Sequence, residues 1–345
     1  MNPDWQQQLR DAGAHIEDNL VRDFGDPAGE LDAAQSRDVL ADLSHLGVLE
    51  FNGDDAGKFL QGQLTCDVEA IGPGASSFGS YCTPKGRMLA SFLLWRSGGG
   101  FRMALSREIA AAAQKRLKMY VLRSKVQIGD VSDAVALIGI AGPGAKDALA
   151  PLAAAVPQRT QDVQPLGDDG ALICVPGGRY VAAVPVSAAP ALWQTLAGAL
   201  RPVGTACWEW LDIRSGLPLV TAKTQELFTP QMANIELLGG VSFTKGCYTG
   251  QEVVARTQHL GKVKRRMFIA NIEAAGMAPA PGDDLYSDDI PGQASGTIVN
   301  AQAAPGGGYD LLAVVHLSSR ESSAVHLRSA DGPVLRFLDL PYSVS

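Results

Sequence analysis

The sequence predicts an α+β fold: two ferredoxin-like βαββαβ units followed by a small C-terminal antiparallel β-barrel. Three observations carry this. A strand–glycine–helix passage occurs twice, at 47–64 ("GVLEFNGDDAGKFLQGQL") and at 136–152 ("ALIGIAGPGAKDALAPL"), with Gly142 answering Gly53 and Ala145 answering Ala56. Each passage is followed by two strands around a loop and then by a helix. From residue 268 onward the chain changes to short alternating segments split by Gly, Pro and Asp, the spacing of a small barrel.

In chain order, the opening "MNPDWQQQLRDAGAHIEDNLVRDFGD" lacks the basic flank and apolar run of a signal peptide and is too acidic for a transit peptide. It reads as a helical extension over residues 1–29. In the first unit the helix after Gly53 is begun by Asp54 or Asp55. "SYCTPKGRMLASFLLWRSGGGFRMAL" supplies two strands, "SREIAAAAQKRLKMYVL" the second helix and "KVQIGDV" the closing strand. The second unit continues with "GALICVPGGRYVAAVPV", the helix "SAAPALWQTLAGALR" and a closing strand "CWEWLDI", on which Trp208 and Trp210 alternate onto one face. The tail strands are "RRMFIANIE", "GDDLYSDDIPGQASGTIVNAQ", "YDLLAVVHL", "SAVHLRSA" and "PVLRFLDLP". The expected domains are 30–130 with part of 205–250, then 131–204, then 262–345. The turn "GIAGPGAKDAL" matches neither GxGxxG nor a P-loop, and its counterpart "FNGDDAGKF" carries two aspartates that repel an anion. It reads as a tight turn rather than a phosphate cradle.

A length of 345 residues suits two or three domains, and 46% apolar with 19% charged residues is enough for several cores. The net charge of −7 argues against a general nucleic-acid coat while leaving room for a local basic patch. No apolar stretch approaches the ~20 residues of a membrane span. Five cysteines, an odd number with no CxxC pair, argue against a disulfide scaffold or structural zinc. The expectation is a cytoplasmic protein with free thiols and no metal bound by this chain alone.

The chemistry concentrates at 243–267, "FTKGCYTGQEVVARTQHLGKVKRRM". Thr249 and Glu252 have capping-box spacing, which predicts a helix from about 250 to 260 stopped by Gly261. Cys247 then lies two residues before the cap, near the positive helix end and close to Lys245, a setting that favours thiolate over thiol. The alternative is a small apolar side chain filling a turn. His259 falls at the far end of that helix, too distant for a Cys–His pair, and neither GxSxG nor HExxH occurs. Lys262, Lys264, Arg265 and Arg266 suit either a polyanion, such as a polyglutamate tail or RNA phosphate, or a solvated strand edge. Trp208 and Trp210 suit either a core or a flat face for a planar ligand. No string combining aromatic and basic residues stands out as an RNA-binding surface.

"LGGVSFTKGCYTGQEVVAR" resembles the signature of the YgfZ family, folate-binding proteins related to the aminomethyltransferase (T-protein) of glycine cleavage. "FLQGQLTCDV", "YCTPKGRM", "IRSGLPLV", "FTPQMANIELLGG" and "LPYSVS" agree, so the resemblance runs from about residue 40 to the end. It implies three lobes in a ring around tetrahydrofolate or a derivative, and a role in assembly or repair of iron–sulfur proteins, including tRNA-modifying enzymes. Expected partners are folate and iron–sulfur proteins or assembly factors, with direct nucleic-acid binding and membrane contact not expected. The motif cysteine carries onto Cys247, with Lys245 beside it, as the catalytic pair.

The family's pterin-contacting tryptophan matches Trp208, whereas its second aromatic contact falls at Leu46. The usual acid of the IExG string is Arg214, whose guanidinium only donates hydrogen bonds where a carboxylate would accept them from pterin. Glu209 and Asp212 are the acids at hand to replace it. "PKGRMLASF" lacks the aspartate that aminomethyltransferases carry there, which disfavours the alternative of a folate-dependent aminomethyl transferase. A third reading, an RNA-binding module acting on tRNA, is disfavoured by the overall acidity.

Overall fold

The computed structural model describes residues 1–259, 261, 263–273 and 278–344. It is a mixed α+β structure with several sheets, and the chain divides into two compact units. The first comprises Met1–Leu60, Val68–Ser77 and Phe92–Leu211; the second comprises Gln61–Asp67, Phe78–Ser91 and Asp212–Ser345.

In the first unit, strand Leu46–Asn52 pairs antiparallel with Gly100–Ser106 on one side and Gln127–Asp130 on the other. Helix Arg107–Lys118 packs on this sheet through Ile109, Ala110, Ala113 and Leu117. Glu108 in its first turn and Lys115, Arg116 and Lys118 in its last complement the helix dipole. A second sheet runs in the order Val163–Leu166, Gly170–Val175, Arg179–Pro185, Val135–Ala141, Val39–Asp42, Arg201–Val203. Only the last pair is parallel.

The two strand–helix turns share their geometry. Gly53 and Gly142 both have φ of 120°, and a side chain would strike the Lys125 carbonyl at the first and Asp38 at the second. Asp38 Oδ1 also accepts the Gly144 N–H at 2.6 Å. The turn amide that an anion would need is therefore already occupied by the protein's own carboxylate.

The N-terminal residues hold more than a helix. Helix Pro3–Asp11 is followed by a hairpin, His15–Glu17 with Leu20–Asp23, and then by helix Pro27–Ser36. Trp5 and Leu9 join the core of the second sheet, where Trp5 meets Trp193 edge-on at 5.6 Å and donates to Asp42 at 2.7 Å.

One expected strand is a helix. "CWEWLDI" lies in helix Thr205–Arg214, and the strand position beside Val39–Asp42 is filled by Arg201–Val203. Two tryptophans two residues apart imitate strand alternation, but the adjacent Cys207 and Trp208 are both buried, which a strand with one buried face does not allow.

The second unit contains an antiparallel sheet ordered Val325–Leu327, Asp284–Ser287, Gly296–Ala303, Tyr309–His316, Arg265–Ile272, Arg336–Leu338. Phe268, Ala270 and Ile272 share its core with Leu311, Ala313 and Val315, the period-two set of a strand face. Residues 333–338 bond both to the outer strand Val325–Leu327 and, as the opposite outer strand, to Arg265–Ile272. The Leu327 N–H donates to the Pro333 carbonyl, the Leu335 N–H to Val325, and Arg336–Leu338 pairs with 269–271. Among the described residues no helix is long and apolar enough to cross a membrane.

Candidate functional site

The loop carrying Cys247 is stitched to residues 64–66 of its own unit. The Ser242 N–H donates to the Thr65 carbonyl at 2.9 Å, and the Thr65 hydroxyl donates to the Gly240 carbonyl at 2.6 Å. Lys245 is the central fastening. Its side chain turns inward, at 9% exposure, and Nζ donates to the carbonyls of Leu64 at 2.8 Å and Cys66 at 2.6 Å. The ammonium also lies 5.2 Å from the centre of the Tyr248 ring, a cation–π contact. A buried charge is tolerable only with such partners.

Helix Gln251–His259 follows. At its start the Tyr248 N–H donates to Gln251 Oε1 at 3.3 Å, a single side-chain bond one residue earlier than the Thr249–Glu252 spacing predicted. The Gly250 carbonyl accepts the Val254 N–H at 3.3 Å, so Cys247 lies three residues before the capping position. Gly250, at φ of 85°, is required where a side chain would meet the Thr83 carbonyl at 2.5 Å, which brings the "TPKG" turn against the helix start. At the other end the Gly261 N–H bonds the Arg256 carbonyl at 3.0 Å, the expected stop; Leu260 lies outside the described residues.

Among the described residues, which include all five cysteines, Cys247 is the one exposed thiol. Burial pushes the thiols of Cys82 and Cys207 up to about 12 and raises that of Cys174, so these remain protonated and inert. Burial likewise raises the Tyr248 hydroxyl, which has no hydrogen-bond partner among the described residues.

The basic run divides. Lys262 and the side chain of His259 lie outside the described residues, and Lys264 is exposed. Arg265 donates to His316 Nε2 at 2.8 Å. Arg266 is buried, bonded to the Gln231 carbonyl at 2.9 Å and to Glu236. Arg266 is thus neither a polyanion contact nor a solvated edge; it is a structural tie. Burial raises the Glu236 carboxyl, against the pull of Arg266.

The remaining predicted residues fall as follows. In the first unit, Leu46 is half-buried and pairs with Ser106, beside a buried His45 whose ring nitrogens both lack partners among the described residues. Trp208 is 2% exposed, and a side-chain carbon on Gly139 would fall 2.5 Å from its ring. The Arg179 guanidinium stacks 4.6 Å from the ring centre. Glu209, also in the first unit, is half-buried. In the second unit Asp212 is half-buried, and Arg214 has a 41% exposed side chain 3.7 Å from Asp310.

Sequence reasoning missed the network built by "FTPQMANIE". Gln231 and Asn234 are fully buried and hold the Val254 carbonyl at 2.7 Å and the Met267 carbonyl at 2.8 Å. Tyr342 of "LPYSVS" donates to the Gly216 carbonyl at 2.7 Å. Polar residues inside an otherwise apolar string were the available signal.

The glycine cleavage system aminomethyltransferase T from Bartonella henselae superposes with a TM-score of 0.81, covering 97% of this chain and 96% of that one at 18% identity, so the two share a fold. The GCVT N-terminal domain family matches residues 22–164. The tRNA-modifying protein YgfZ of Yersinia pseudotuberculosis serotype O:1b (strain IP 31758) is 33% identical over 309 residues, which is 89% of this chain and 93% of the relative. Its namesake in Sodalis glossinidius (strain morsitans) is 32% identical over 310 residues, with the same coverage. The chain belongs to the YgfZ family.

Proposed function

We propose that this protein is a tetrahydrofolate-binding accessory factor supporting iron–sulfur-dependent modification of tRNA, with Cys247 as its working group. The observation that carries the reading is the contrast between one exposed thiol on an anchored loop and four buried ones. The relatives' name and the aminomethyltransferase fold support the tRNA and folate parts. Lys245 is then a positioning residue, since its ammonium holds the loop through Leu64 and Cys66.

Cys247 acts as a nucleophile or as a transient ligand to a cluster in transit. A protein-held cluster ordinarily takes four ligands, and among the described residues no group of three or more His, Cys, Asp or Glu side chains is placed to hold a metal. A partner therefore supplies the rest. Five free thiols suit a reducing cytoplasm. The ferredoxin-like description of the two sheets, supported by the shared turn at Gly53 and Gly142, belongs to the same reading.

The residues fit folate with one condition. In the first unit, Leu46 offers partly open apolar surface for a planar ligand. Trp208 becomes a stacking platform when Arg179 leaves its ring. Folate supplies, when bound, a one-carbon carrier or a redox-sensitive pterin. The test is rescue of a strain lacking the protein: Cys247→Ala is expected to fold, to bind tetrahydrofolate and to fail in rescue. Full rescue by that variant would refute the role of Cys247, and absence of anaerobic folate binding in the wild type would refute the folate part.

A further inference from the structure

The helix Arg107–Lys118 ends sooner than its sequence suggests. Beyond it the chain turns through 119–124, with the Tyr120 N–H bonded to Leu117 at 3.0 Å and the Ser124 N–H to Val121 at 2.8 Å. This turn exposes what would otherwise belong to a core: Leu122 is 88% exposed, Met119 61% and Tyr120 39%. Leu122 sits at φ of 45°, in the left-handed region that disfavours a leucine, so the chain holds a large apolar side chain in solvent from an unfavourable backbone.

Charge is concentrated at the same place. Residues 109–129 contain Lys115, Arg116, Lys118, Arg123 and Lys125 and no Asp or Glu, in a chain whose net charge is −7. Lys115, Lys118, Arg123 and Lys125 are exposed. Lys125 lies 3.5 Å from the exposed Asp54, while Lys115, Lys118 and Arg123 form no ion pair among the described residues. The helix dipole explains cations in the last turn, but it explains neither Arg123 and Lys125 nor the three exposed apolar side chains. Scattered exposed apolar residues are ordinary; three within four positions, bracketed by cations, are not scattered.

We infer that residues 115–125, "KRLKMYVLRSK", form a docking tip for an unpaired loop of tRNA. Lys115, Lys118, Arg123 and Lys125 neutralise backbone phosphates, Tyr120 stacks on a splayed base, and Met119 and Leu122 cover the apolar face beside it. The exposed ring between cations favours RNA over an acidic protein. A duplex keeps its base faces closed, so the target is single-stranded. Such a tip runs against the expectation that direct nucleic-acid binding is absent; "MYVL" reads as helix core until the turn exposes it. The choice of tRNA over other RNA rests on the proposed function; the tip itself does not.

The test is fluorescence anisotropy of labelled unfractionated tRNA titrated with the full chain at several salt concentrations. Saturable binding is expected, weakened about tenfold or more in Lys118→Glu/Arg123→Glu, with the log–log salt dependence flattened by about 1.4 at roughly 0.7 per lost phosphate contact. Tyr120→Ala is expected to weaken binding about tenfold, and Lys146→Glu, an exposed cation elsewhere, to change nothing. Leu122→Asn, whose side chain tolerates the left-handed backbone, is expected to fold and to bind more weakly.

No binding by the wild type, or equal binding by the variants, would overturn the inference. So would displacement of tRNA by duplex DNA as readily as by single-stranded RNA, which would leave charge alone. Tip-dependent binding of poly-glutamate without binding of tRNA would overturn it in favour of a protein partner. Tetrahydrofolate binding by the same variants is expected to match the wild type, so loss of the tRNA result and loss of the folate reading register separately.

Discussion

Replacing Lys245 by methionine keeps the length of the side chain and removes its charge. The Leu64 and Cys66 carbonyls, 2.8 and 2.6 Å from the ammonium, then lose that donor inside the protein. Each buried acceptor left unmatched costs about 1–3 kcal/mol, while the variant is relieved of desolvating an ammonium. The net is about 3 kcal/mol, felt first in the loop that Lys245 fastens, and equivalent to about a hundredfold rise in loop opening. The assay is alkylation of thiols read residue by residue by mass spectrometry. The native protein is expected to label quickly at Cys247 only, because Cys66, Cys82, Cys174 and Cys207 are buried. In Lys245→Met, labelling of Cys66 and Cys82 is expected to rise about a hundredfold while Cys174 and Cys207 stay protected. Unchanged labelling at Cys66 and Cys82 would refute the anchoring role, and uniform labelling of all four would mean global unfolding instead of a released loop.

Two further predictions concern the first unit. Burial lowers the His45 ring to about 4 from 6.5, so the folded state binds its proton less readily than the unfolded chain. Its stabilising effect is complete above pH 6.5 and lost as pH falls toward 4, by about 3 kcal/mol; melting curves of His45→Leu against wild type should diverge in that window, and parallel curves would contradict it. Arg179→Ala uncovers the Trp208 ring now stacked beneath the guanidinium. Tryptophan emission should shift to the red and quenching by tetrahydrofolate should strengthen, whereas weakened quenching would make Arg179 itself part of the recognition.

What was legible in the sequence depended on how local the cause was. The paired turns at Gly53 and Gly142 were visible because glycine marks a backbone angle directly. The tail strands were visible because Phe268, Ala270 and Ile272 keep period two through the chain. The stop at Gly261 was visible for the same kind of reason. "CWEWLDI" misled because two tryptophans two apart satisfy strand spacing, and only the burial of Cys207 beside Trp208 distinguishes a helix. Lys245 was read by its sequence neighbour Cys247, although its partners come from residues 64–66, far away along the chain. Arg266 likewise belonged by sequence to a basic run and by contact to Gln231 and Glu236. Tertiary partners decide the work of a long cationic side chain, and no periodicity encodes them.

Residues 333–338, bonded at one end to Val325–Leu327 and at the other to Arg265–Ile272, also set an order of events during synthesis. The unit draws on Gln61–Asp67 and Phe78–Ser91 early in the sequence and reaches closure only with a segment near its end. A nascent chain must therefore hold these early pieces in waiting until the ribosome has delivered the last strand. Until then two rows of unpaired backbone amides and carbonyls stand open to any passing strand. Chains interrupted before residue 333 would keep those open rows permanently, making them clients for chaperones and proteases rather than shortened but functional proteins.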